Sequence, residues 1–124
     1  SVHVLDGLDF SNSANEQIYE ADIVVLLEST CDYSNILLGK APFVASLEKP
    51  VLALLPDVCE LRNIINNENY IAKSYDKEDV TSKLEALIVK ALDTNETVYP
   101  FDSYFNDENF NQILGKVLTD SKYK

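Results

Sequence analysis

The chain has 124 residues, the size of one domain, since domains cluster at about 100–150 residues. Hydrophobic residues make up 46% and charged residues 25%, ordinary globular values that exclude intrinsic disorder. Ten Lys and Arg face 21 Asp and Glu, a net charge of −11. That excludes a binder of nucleic-acid backbones, which needs a basic face to release counterions.

The longest apolar runs, residues 23–27 and 51–56, fall far short of the roughly 20 residues that span a bilayer, so no transmembrane segment is expected. No secretory apolar core opens the chain. Methionine is absent, so Ser1 is expected to follow a processing site or a cut. Cys31 and Cys59 are the only cysteines, too few for a disulfide framework. Two free thiols in a reducing, cytoplasmic setting are the expectation.

Val2-His3-Val4-Leu5 alternates weakly and is a candidate fourth strand. Ser13-Ala14-Asn15-Glu16 has capping-box spacing and predicts a helix start at Ser13. Ile23-Val24-Val25-Leu26-Leu27 is apolar without alternation, the pattern of a strand covered on both faces. Residues 41–47 predict a helix with Pro42 in its first turn, where a missing N–H does no harm. Val51-Leu52-Ala53-Leu54-Leu55 repeats the buried-strand pattern between Pro50 and Pro56. Asp57-Val58-Cys59-Glu60 predicts a second capping box, with Asp57 as cap and Leu61, Ile64 and Ile65 as an apolar stripe.

Tyr70-Ile71-Ala72-Lys73-Ser74 is short and partly polar, as an edge strand would be. After Asp76, the residues Val80, Leu84, Leu87, Ile88 and Ala91 recur at helical spacing. Residues 95–107 read as a loop whose Tyr99, Phe101, Tyr104 and Phe105 pack down. Phe110, Ile113, Leu114 and Val117 mark a last amphipathic helix.

Strands alternating with helices imply right-handed βαβ units. The expected fold is therefore α/β: a Rossmann-like parallel sheet of three to four strands flanked by helices. Residues 1–124 form one domain, with 94–124 as tail and closing helix. Ligands of such sheets bind at the carboxyl ends of the strands, which selects loops 28–39 and 56–59, expected to lie side by side.

Lys40, at a helix start beside Gly39, suits an anion, and Ser34 and Asn35 are within the same loop. Their everyday use is in turns and caps, with Lys40 a solvated helix residue. His3 stands alone, so neither a His-based metal cluster nor a Ser-His-Asp relay has support. Two thiols without a nearby His fall short of a zinc set. Glu60, Glu78, Asp79 and Glu85 read as solvated surface. Asn95-Glu96-Thr97 fits a glycosylation pattern that has no meaning in a cytoplasmic protein. With Gly7, Gly39 and Gly115 as the only glycines, there is no Gly-rich phosphate loop, and no metal or cofactor is expected.

The run Glu20-Ala21-Asp22 into residues 23–27, then Tyr33-Ser34-Asn35, Gly39-Lys40 and Leu47-Glu48-Lys49-Pro50-Val51, resembles the donor half of GT-B-fold glycosyltransferases. It is most similar to the capsule and lipopolysaccharide branch of the retaining group 1 family. The remaining elements follow in the family's order up to the final helix, which in complete enzymes crosses back to the acceptor domain.

The resemblance implies a C-terminal nucleotide-sugar-binding portion of a glycosyltransferase of polysaccharide biosynthesis, excised from a longer chain and inactive alone. Lys40 would neutralise donor phosphate, Ser34 and Asn35 would bond phosphate or sugar, Gly39 would stand at the family's Ser-Lys serine, and Glu28 would sit at the cleft mouth. No catalytic residue is assigned. The family's paired glutamates fall on Asn35 and Phe43, and a phenyl ring cannot accept ribose hydroxyls. The Gly of the family's Gly-Lys-Pro turn is Glu48 here.

The implied partners are a nucleotide-sugar donor, the missing N-terminal acceptor domain and, through an exposed sheet edge, a second copy. The alternative is a non-catalytic, degenerate Rossmann-like interaction module. A nucleoside deoxyribosyltransferase-like enzyme ranks last, because Lys40 stands near where that family places a nucleophilic Glu.

Overall fold

The structure is a computed structural model and describes residues 2–4, 6–28, 31–65, 67–93 and 97–120. It is an α/β, Rossmann-like arrangement of three parallel strands, β1 (Val24–Leu27), β2 (Val51–Leu55) and β3 (Ile71–Lys73), in the order β1-β2-β3. The register pairs Val25 with Leu52 and Leu54 with Ala72. Val24, Leu26, Val51, Ala53, Leu55 and Ile71 therefore share one face. Both crossovers run through short helices, α2 (Ala41–Ser46) and α3 (Glu60–Ile64), whose Ala41, Val44, Leu61 and Ile64 are buried. Right-handed crossovers in one direction put these helices on a common face. The long helix α4 (Lys77–Asp93) packs on β2 and β3. Its Leu84, Ile88 and Leu92 border Ile23 and Val25 on the opposite face.

The unalternated run at residues 23–27 misleads on one point. Val25 and Leu27 are 51% and 61% exposed, whereas Leu52, level with Val25, is 1% exposed. β1 is an edge strand, and α4 covers its neighbours more fully than it covers β1. Both edges of the sheet are thus open among the described residues, β1 as well as the shorter β3. Val2, His3 and Val4 are exposed coil and add no fourth strand, and Leu5 lies outside the described residues.

The first helix also departs from expectation. α1 (Phe10–Asn15) begins before Ser13, because Asp9 is its cap, accepting from the Asn12 N–H. Ser13 lies inside the helix, where its hydroxyl and carbonyl oxygens accept from the Gln17 side chain. The helix then widens into a π turn, Glu16–Glu20.

The Lys49 ammonium closes this turn by donating to the carbonyls of Gln17 (2.9 Å), Ile18 (2.6 Å) and Ala21 (2.7 Å). A cation is at its most useful there, where helix carbonyls have lost their intrahelical partners.

Pro42 sits in the first turn of α2, as its fixed φ favours. After α4 the chain returns through turns at residues 99–105, with Phe101 1% exposed. Val98 donates to the Glu48 carbonyl (3.4 Å). Helix α5 (Asp107–Thr119) follows, and none of its residues is buried.

Glu48 has φ 53°, the left-handed region that disfavours a Cβ. The turn into β2 imposes it: Glu48 follows the C-cap of α2, and Lys49 must then face the π turn. Relief of that strain is worth roughly 1–2 kcal/mol, and glycine's unfolded-state entropy takes back roughly half. Glu48→Gly is therefore expected to stabilise the fold by about 1 kcal/mol, seen as a higher urea midpoint at unchanged slope. A lower midpoint would show that the Glu48 side chain contributes more than its backbone costs.

Candidate functional site

At the carboxyl ends of the strands, the two loops singled out from the sequence lie side by side. Tyr33 and Val58 form a parallel bridge, and the Ser34 N–H donates to the Val58 carbonyl (2.8 Å). Glu28 follows β1 directly, its N–H held by the Leu54 carbonyl (3.1 Å). Its side chain is turned inward: Glu28 is 8% exposed, and both carboxylate oxygens are buried without a hydrogen-bond partner. Ser29 and Thr30 lie outside the described residues.

Cys59, buried at the cap of α3, is the neighbour that registers Glu28. Burial pushes the Cys59 thiol above its ordinary value, and the nearby Glu28 carboxylate adds to the rise; the Arg62 backbone N–H works against both. Neither Glu28 carboxylate oxygen has a hydrogen-bond partner of good geometry, so the Glu28 influence on Cys59 is that of a close but poorly aligned neighbour.

Arg62 donates through Nε to the Pro56 carbonyl (3.2 Å), and one of its terminal nitrogens is buried and unpartnered. Its other terminal nitrogen is 3.9 Å from the exposed Glu68 carboxylate, a contact of little energetic weight. Glu28 and Cys59, both buried, and the half-buried Arg62 thus form one polar group at the strand tips. A thiol held protonated is an inert one, so nucleophilic chemistry at Cys59 has no support.

The rim of this end is acidic. Tyr75 donates through its hydroxyl to Asp57 (2.9 Å). That bond, with the charges of Asp57, Asp32 and Asp76, raises the Tyr75 phenol. Asp57 is therefore not the cap of α3, as its spacing suggested. The cap residue is Cys59, which makes no side-chain capping bond.

The remaining sequence-selected residues divide. Ser34 is half-buried, and its hydroxyl accepts from the Ile36 N–H (3.3 Å), a turn role; Asn35 is exposed. Gly39 and Lys40 stand elsewhere, lining a cavity of about 210 Å³ with Phe10, Ser13, Gln17 and Phe43. Lys40 is exposed, at the start of the six-residue α2. The rings of Phe10 and Phe43 meet at 6.1 Å, so α1 lies against the position where the resemblance expects a carboxylate. Glu28, Ser34 and Asn35 do not line that cavity.

Glu60, Glu78 and Glu85 are exposed, whereas Asp79 is half-buried and accepts the Lys73 N–H (2.8 Å). Asn95 and Glu96 lie outside the described residues. Among the described residues, no cluster of three or more His, Cys, Asp or Glu could hold a metal, and no helix is long and apolar enough to cross a membrane.

No protein-family model, curated protein or solved structure matches the chain.

Sequence reasoning missed Arg62 and the pairing of Cys59 with Glu28. The available signal was the chain order: Glu28 closes one buried strand, and Cys59 and Arg62 follow the next. Because the folded Cys59 pKa exceeds its unfolded value, its stabilising contribution is complete below pH 9 and is lost as pH climbs through the folded pKa. A thiol reagent at neutral pH is expected to label the exposed Cys31 quickly and Cys59 only on unfolding. Glu28→Gln should move Cys59 labelling to lower pH, still above the ordinary thiol range because burial is the larger cause. Equal labelling of both cysteines at neutral pH would contradict this arrangement.

Proposed function

We propose that the chain is the C-terminal, nucleotide-sugar-binding portion of a GT-B-like glycosyltransferase of polysaccharide biosynthesis, inactive by itself. The observation that carries this reading is the joining of the loops after β1 and β2 through the Tyr33–Val58 bridge. It brings two loops together at the carboxyl ends of parallel strands, where α/β sheets take their ligands.

In this reading Ser34 and Asn35 supply hydrogen bonds from the loop after β1, Lys40 with Gly39 meets the diphosphate from the start of α2, and the inward-turned Glu28 backs the loop without touching the donor. The missing acceptor domain would complete the cleft. The exposed stripe of α5 and the open edge of β1 are surfaces that a further domain or a second copy would cover. Two free cysteines suit a reducing, cytoplasmic setting.

A second reading, a non-catalytic interaction module on the same fold, is favoured by the Phe10–Phe43 contact. It leaves the ribose without its carboxylate.

Titration with UDP-, GDP- and TDP-sugars separates the two. A ligand at 100 times its dissociation constant adds about 2.7 kcal/mol of stability, so one of these donors is expected to raise the melting temperature. Lys40→Ala should abolish the rise. No shift with any of the three would overturn the donor reading and leave the interaction module.

A further inference from the structure

A cavity of about 570 Å³ lies between the end of α2 and the turns at residues 99–106. It is separate from the joined loops at the strand tips: Glu48 on its wall precedes β2, so the cavity belongs to the amino ends of the strands. Its size falls in the range of small-molecule sites.

One part of the wall is aromatic and firmly backed. The Phe105 ring stands edge-on to the buried Phe101 (centroids 5.6 Å apart) and to Tyr104 (5.0 Å), so it is held on two sides. Tyr99 also borders the cavity and is 58% exposed. Glu48, Asn106 and Ser46 contribute the polar part; the Ser46 hydroxyl donates to the Phe43 carbonyl (2.6 Å) and the Asn106 side-chain oxygen accepts from the Asn109 N–H (2.8 Å), which leaves the Asn106 amide nitrogen as the donor. Glu48 and Asp102, the two non-glycine residues at positive φ among the described residues (53° and 47°), both lie on this wall.

The chemistry of the lining selects among ligands. Among the described residues no Lys, Arg or His borders the cavity, so a phosphate or carboxylate ligand would find no countercharge from them. Polyamines need several carboxylates in reach, and Asp102 is already engaged in another interaction. A planar carboxylate accepts from, and an amide nitrogen donates to, paired hydroxyl groups. Exposed aromatic faces pack against the apolar C–H side of a pyranose ring, burying area at little entropic cost.

We infer that this cavity is a binding site for an uncharged saccharide, with the Tyr99 ring as platform and Glu48 and Asn106 as hydroxyl-binding groups. The inference stands apart from the donor reading, because it uses none of the residues assigned to the nucleotide sugar.

Saturation-transfer NMR on the full chain tests it, with glucose, galactose, mannose, maltose, cellobiose and lactose as probes and spermidine as the cationic comparison. At least one of the six sugars is expected to receive saturation. Tyr99→Ala should weaken its binding about tenfold, equivalent to about 1.4 kcal/mol. Glu48→Gln should weaken it several-fold, and Lys40→Ala should leave it unchanged. Both cavity residues are exposed, so the variants keep the fold, which their circular dichroism and urea midpoints confirm. No transfer to any sugar, transfer indifferent to both cavity variants, or tighter binding of spermidine than of every sugar would each overturn the assignment.

Discussion

A single ammonium group ties the helix at residues 10–20 to the turn that enters β2. Lys49 lies on the turn leading into β2, yet its three hydrogen bonds all go to carbonyls at the end of the π turn at Glu16–Glu20. Hydrogen bonds to a charged group contribute about 1.5–3 kcal/mol each when well made, whereas the helix itself buries no side chain completely. Apolar packing is therefore a weak tether for this helix, and the cation is a strong one. Once the π turn is held, Phe10 is brought to Phe43, and the cavity around Lys40 acquires its second wall.

The same turn explains one cost that the fold accepts and one contact that it gains. Aiming Lys49 at the π turn leaves Glu48 in a left-handed conformation, and the Glu48 carbonyl then receives Val98 at the start of the returning tail. One turn thus joins the amino-terminal helix, the central strand and the tail. Away from it the structure is thin. The three-stranded sheet leaves the outer face of β1 half exposed, and Phe110, Ile113, Leu114 and Val117 form a stripe on α5 that is 40–63% exposed. Apolar area left in water on this scale forgoes stabilisation that burial would supply.

Much of this architecture is written plainly in the chain. The β2 strand, α2 with Pro42, α4 and α5 follow from period and proline position, because each is decided by neighbours a few residues away. The adjacency of loops 28–39 and 56–59 is also legible, since parallel βαβ order leaves no other arrangement. What is not legible depends on partners distant in sequence. Residues 23–27 look like a central strand, but edge position is a property of the whole sheet. Ser13 and Asp57 have capping-box spacing, yet Asp9 caps first in one case and Tyr75 claims the carboxylate in the other. Lys49 reads as a turn residue, because its acceptors are 28 to 32 positions earlier.

The candidate site was visible to a similar depth. Position identified Glu28 and Ser34 at the strand tips, but burial decides what they do. Glu28 faces inward towards Cys59 and Arg62, and Ser34 serves a turn. Lys40 was grouped with them by sequence proximity, whereas its cavity is built with α1.

Amide hydrogen exchange on Lys49→Met, compared with the unaltered chain, tests the clamp most directly. Loss of the ammonium is expected to release residues 10–21 to near-unprotected exchange, while β2, β3 and α4 keep their protection. Unchanged protection in residues 10–21 would show that packing, not the cation, holds that helix. Loss of protection throughout the sheet would show that Lys49 supports the core itself and not one attached helix.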